Sequence, residues 1–124
     1  MGLSVMGSAY KELGKTKEAI TVYGSARLIN QQLRLAGSEL HCLAELAALL
    51  KRDGRLPRAR VACEQGIALS RRTDNAKREQ QFLQMAIEVA EAQGDTAGVD
   101  RLRKSSMGAG TKKSAGAKNA DKGS

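Results

Sequence analysis

The 124-residue chain has one histidine, His41, and two cysteines, Cys42 and Cys63. His41 and Cys42 are adjacent, and adjacent residues on a helix point about 100° apart, so they cannot act as a nucleophile and its base. Cys42 is expected in packing. The two cysteines lie far apart along the chain. With a single histidine they supply neither a disulfide framework nor a four-ligand zinc set, so a reducing cytoplasm is expected. Glu88 and Glu91 stand one turn apart on a single helix rather than across a cleft, which is a poor arrangement for a general acid and base. No glycine loop that could cradle phosphate occurs, since Gly108-Ala109-Gly110 leads into Thr111 and Lys112 rather than a helix. The expectation is a protein with no catalytic residue, no metal site and no cofactor. The strongest pair for recognition is Lys51 and Arg52: the Arg52 guanidinium can hold a carboxylate with two hydrogen bonds, and Lys51 raises the local potential.

The composition limits what can position these residues. Apolar residues make up 41%, charged residues 27% and aromatic residues 2%, which leaves room for one domain built on aliphatic packing. No stretch approaches the roughly 20 apolar residues of a membrane span, and no leader pattern opens the chain. The net charge is +8, and it is uneven. Lys112, Lys113, Lys118 and Lys122 against Asp121 give +3 to residues 105–124, leaving +5 for the rest. That Gly/Ala/Lys/Ser-rich tail has one methionine and no other large apolar side chain, so it cannot offset the entropy of ordering and is expected to be disordered. It lacks arginine and aromatics for base readout or stacking, so specific nucleic-acid binding is not expected.

Sliding the chain by forty residues superposes Gly14, Gly54 and Gly94, and Leu3, Leu43 and Leu83. Met6, Leu46 and Ala86 also coincide, as do Ala19, Ala59 and Val99. A period of this length marks stacked supersecondary units. Each unit reads as two helices flanking the glycine. Leu43, Leu46, Ala47 and Leu50 form the i, i+3, i+4, i+7 stripe of an amphipathic helix that ends at Asp53 and Gly54, where a left-handed cap is available. The second helix starts near Pro57 and carries a small-residue face of Ala59, Ala62, Cys63 and Gly66. Ala19, Val22, Tyr23 and Ala26 repeat this in the first unit, and Phe82, Leu83, Ala86 and Ala90 supply the third. The predicted fold is all-α: an αα-hairpin solenoid over residues 1–104 with two full hairpins and a shortened third, followed by the tail 105–124. One hairpin buries a single face, so neighbours must stack. Apolar repeat positions open the chain without a polar cap, which predicts a truncated start at Met1, or a preceding repeat or another chain on that face. Arg103 and Lys104 after Val99 and Leu102 predict a short polar closing helix.

In its first unit, Leu3-x2-Met6-Gly7-x2-Tyr10, then Gly14, Ala19, Tyr23 and Ala26, the chain resembles the tetratricopeptide repeat (TPR). The second unit keeps Leu46, Gly54 and Ala59, with Ala47, Leu50 and Cys63 at the small, tyrosine and aromatic positions. The third holds Ala86, Ile87, Ala90 and Val99. The forty-residue spacing is similar to the extended type found in kinesin light chains, rapsyn and the G-protein-signalling modulator adaptors. HEAT and armadillo repeats share the period but not this Gly and Ala spacing.

The resemblance implies a non-enzymatic scaffold that holds a partner segment in a groove lined by the first helix of each hairpin. On matching positions this face comprises Ser4, Ser8 and Lys11, then His41, Glu45, Ala48, Lys51 and Arg52, then Gln81, Gln84, Glu88 and Glu91. The groove is expected to be basic near Lys51 and Arg52 and acidic near Glu88 and Glu91, and an acidic or amphipathic protein segment is the expected partner. The lysine and asparagine clamp of chaperone-binding members falls on Ser4 with Ser8 and Ala44 with Ala48, which lack its charge. A second reading is a basic-tailed accessory subunit that binds an acidic polymer, either nucleic acid or a cytoskeletal surface, through residues 105–124.

Overall fold

The computed structural model describes residues 3–107. They form six helices in series: α1 Leu3–Glu12, α2 Thr16–Gln32, α3 Ala36–Arg52, α4 Leu56–Arg72, α5 Ala76–Gln93 and α6 over 96–107. Strands are absent among the described residues. Consecutive helices pack on one another, and α3 also touches α5. The fold is the expected αα-hairpin solenoid.

The regularity comes from the joints. Residues 14, 34, 54, 74 and 94 all have positive φ, at 77°, 58°, 77°, 58° and 73°. At each of them the chain makes the same pair of backbone hydrogen bonds. The Lys15 N–H donates to the Tyr10 carbonyl at 2.8 Å, Leu35 to Asn30 at 2.9 Å, Arg55 to Leu50 at 2.9 Å, Asn75 to Ser70 at 2.8 Å and Asp95 to Ala90 at 2.9 Å. Beside these, Gly14 donates to Lys11, Arg34 to Gln31, Gly54 to Lys51, Asp74 to Arg71 and Gly94 to Glu91. This pairing is the Schellman motif, which satisfies the last carbonyls of a helix while a left-handed residue reverses the chain. Gly14, Gly54 and Gly94 therefore occupy equivalent bends within the hairpins. Arg34 and Asp74 make the same bend between hairpins, so the structural step is twenty residues.

Side-chain caps enter only late in the chain. Lys15, Leu35 and Arg55 offer no side-chain cap to α2, α3 and α4. Asn75 accepts from the Arg78 N–H at 3.1 Å at the start of α5, and Asp95 accepts from the Gly98 N–H at 2.9 Å at the start of α6.

The predicted stripes form the core: Leu43, Leu46, Ala47, Leu50, Ala59, Ala62, Cys63, Phe82, Leu83, Ala86 and Ala90 are all buried. Small residues sit where rings come close. A Cβ at Gly7 would lie 2.8 Å from the Tyr23 ring, and one at Gly66 would run into the Phe82 ring. Truncating a core leucine such as Leu43 to alanine is expected to cost about 3 kcal/mol. The buried Ser70 hydroxyl donates to the Gly66 carbonyl at 2.7 Å. Columns closed inside the stack are open on the first hairpin: Met6 is 47% exposed against 8% for its equivalent Leu46.

The C-terminal boundary differs from expectation. α6 runs on to 107, and Ser106 exchanges two hydrogen bonds with Gln80, of 3.1 and 3.0 Å, which ties the last turn to α5. Residues 105–107 thus belong to the helical body. Val99 and Leu102 pack on Ile87 and Ala90, and Arg103 and Lys104 are exposed, as a polar closing helix requires. The rest of the predicted tail, and Met1, lie outside the described residues.

Candidate functional site: the face of the odd-numbered helices

The uniform joint sorts the helices into two rows, with α1, α3 and α5 in one and α2, α4 and α6 in the other. On the first row the unburied sides carry the residues expected to form the groove. On α1, Ser4, Ser8 and Lys11 are half-buried. On α3, His41, Ala48 and Arg52 are exposed, while Glu45 and Lys51 are half-buried. Along α5, Gln81, Gln84 and Glu91 are exposed and Glu88 is half-buried.

Two ion pairs link this row. Lys11 Nζ donates to Glu45 Oε1 at 2.7 Å, joining α1 to α3, and Lys51 Nζ donates to Glu88 Oε1 at 2.6 Å, joining α3 to α5. The hydrogen bond to Glu45 holds the Lys11 ammonium above the ordinary lysine range, partly opposed by desolvation. The bond from Lys51 holds the Glu88 carboxyl below the ordinary glutamate range, and Gln84 adds a weaker contact at 3.4 Å. The separate basic and acidic patches expected at Lys51 and Glu88 are therefore one ion pair. Glu91 is engaged by Arg103 of α6 at 2.9 Å.

Arg52 is different: among the described residues it has no carboxylate partner, and it lies near enough to Lys11 to oppose that charge. A depression of about 500 Å³ opens between α1 and α3, lined by Ser4, Ser8, Lys11, His41 and Glu45, with Tyr23 at its base. Five of the expected groove residues thus share one hollow, while Lys51, Gln84 and Glu88 form a second group between α3 and α5, and Gln81 is exposed and bonded to Arg78 of its own helix. Tyr23 was not expected there. It is 1% exposed, its ring meets His41 edge-on at 6.4 Å, and burial pushes its phenol up. Its core column was legible in the sequence, but the reach of its ring to the floor of the hollow was not.

No protein-family model matches the chain, and no curated protein matches it.

The thiols occupy packing positions and do not line this hollow. Cys63 is fully buried and desolvation pushes its thiol up to about 12. Cys42 is 1% exposed and is also raised by burial. Among the described residues no three histidine, cysteine or carboxylate side chains gather as a metal would require. None of the helices there is long and apolar enough to cross a membrane.

Proposed function

We propose that the protein is a non-enzymatic scaffold of the tetratricopeptide type that works in the cytoplasm, holding an extended or helical protein segment against the face of α1, α3 and α5. Support for the repeat type comes from the columns Leu3, Met6, Gly7, Tyr10, Ala19, Tyr23 and Ala26, together with the close Gly7–Tyr23 contact that a small residue in α1 allows. The observation that carries the binding reading is the charge arrangement of the face. Lys11 and Lys51 are neutralised by Glu45 and Glu88, while Arg52, near Lys11, has no carboxylate partner among the described residues. A guanidinium so placed can take a carboxylate from another chain in two hydrogen bonds, a charge-assisted contact stronger than a neutral one. Ser4, Ser8, His41, Gln81 and Gln84 then offer polar contacts on either side.

The test is selection of peptides from a displayed random library on the full chain, followed by titration of the selected peptides against wild type and Arg52→Glu. Peptides carrying a carboxylate, bound at least tenfold more weakly by the variant, with amide shift changes along α1, α3 and α5, are the expected result. Equal binding by both proteins would refute the role of this face.

A further inference from the structure

The even-numbered row has an opening of its own. Between α2 and α4 runs a groove of about 630 Å³ whose floor is Leu46 and Leu50 of α3. Its walls are partly apolar, and Leu28 of α2 and Val61 of α4 remain 50% and 51% exposed there. The charged lining is of one sign: Lys17, Arg27, Arg55 and Arg58 border the groove, and no carboxylate does among the described residues. Arg27 is held by Glu39 at 3.7 Å and Arg55 by Asp53 at 2.8 Å, both outside the groove lining. Lys17 and Arg58 have no carboxylate partner among the described residues. Both stand in the first turns of their helices, where the positive ends of two helix dipoles add to their charge.

The next junction of the same chain carries different side chains. One repeat further, Ile20 becomes Arg60, Arg55 becomes Asp95, Arg58 becomes Gly98 and Val61 becomes Arg101. There Arg60 Nη1 donates to Asp95 Oδ2 at 3.0 Å and to Gln93 Oε1 at 2.7 Å, so charged groups of α4 and the α5–α6 joint meet. Gly98 leaves room for this, because a Cβ would run into Asp95 and Arg60. Backbone geometry is the same at both junctions, so the difference lies in the side chains. The second junction pairs Arg60 with Asp95 across it, whereas the first has the buried Ile20 at that column and leaves Lys17 and Arg58 without a carboxylate among the described residues.

We infer that the α2–α4 groove is a docking site for an acidic amphipathic helix of a partner protein. Its aliphatic stripe lies on Leu28 and Val61, and its carboxylates pair with Lys17 and Arg58 at the end where α2 and α4 begin. The occupant follows from complementarity: an apolar trough between two helices takes the apolar stripe of a third, and the one-signed rim selects glutamate and aspartate beside that stripe. This surface is on the other row from Arg52 and stands or falls separately from the face proposed above.

The probe is a fluorescein-labelled synthetic helical peptide with leucines at i, i+3, i+4 and i+7 and glutamates on the flanks, titrated against the full chain by anisotropy. A peptide of the same composition with the stripe scrambled is the control. Lys17→Glu with Arg58→Glu removes the charge, and the new acids in first turns suit the dipole, so both helices should persist. Leu28→Ser with Val61→Ser removes the apolar contact at two half-exposed positions. The striped peptide should bind wild type with amide shift changes along α2 and α4, and each double variant should weaken it at least tenfold. Absence of binding, equal binding of the scrambled peptide, or retained affinity in the Lys17→Glu/Arg58→Glu chain would overturn the inference.

Discussion

Lys11 and Lys51 occupy one column of the repeat, yet their carboxylates do not: Glu45 lies 34 positions after the first and Glu88 lies 37 after the second. Two glutamates a single turn apart in register can both be reached because a lysine side chain is long and its ammonium is a point charge that does not require a fixed approach. This is why the residues of the face were legible in the sequence and their partners were not. A pattern of repeats aligns columns, whereas these bonds join different columns. The pairs have opposite pH limits. Glu88 is depressed in the folded chain, so its contribution is present above its unfolded value and is lost as pH falls through the lowered one. Lys11 is raised, so its contribution is present below its unfolded value and is lost as pH rises through the raised one. Urea unfolding measured across pH should show stability falling on both limbs. Glu88→Gln should flatten the acid limb, and Lys11→Met the alkaline one. Both groups are partly solvated, so each effect should be small.

At the scale of elements, the glycine bends were readable and the bends between hairpins were not. Gly14, Gly54 and Gly94 advertise positive φ because glycine adopts it freely. Arg34 and Asp74 adopt it with a side chain present, at 58° each, and nothing in their residue types announces this for arginine in particular. The sequence therefore shows a step of forty where the backbone repeats every twenty. The two classes of bend should respond oppositely to substitution. Gly54→Ala places a Cβ in the left-handed region and should cost about 1 kcal/mol, while Arg34→Gly relieves that strain and should add up to about 1 kcal/mol. Thermal unfolding of the two variants checks the pair, and the same sign for both would show that residues 34 and 54 are not equivalent joints. The α6 extension was hidden for a similar reason. Ser105 and Ser106 read as the start of a polar tail, but Ser106 belongs to the helix through its bonds to Gln80.

For the whole molecule, one joint used five times has a functional consequence. Because each bend reverses the chain in the same way, alternate helices return to the same side, and side chains far apart in sequence come into one surface. The row of α1, α3 and α5 gathers Ser4, Ser8, Lys11, His41 and Glu45 around one hollow, with Arg52 near Lys11, and the row of α2 and α4 gathers Lys17, Arg58, Leu28 and Val61 around another. Neither surface exists in an isolated hairpin, since each is built across the junction between one hairpin and the next. The 13Cα secondary shifts of the full chain in solution measure this arrangement most directly. Five interruptions of helical shift, at 13–15, 33–35, 53–55, 73–75 and 94–95, with uninterrupted helix between them, are the predicted result. Helical shifts that run unbroken through 33–35 or 73–75 would contradict the twenty-residue joint and remove both surfaces built on it.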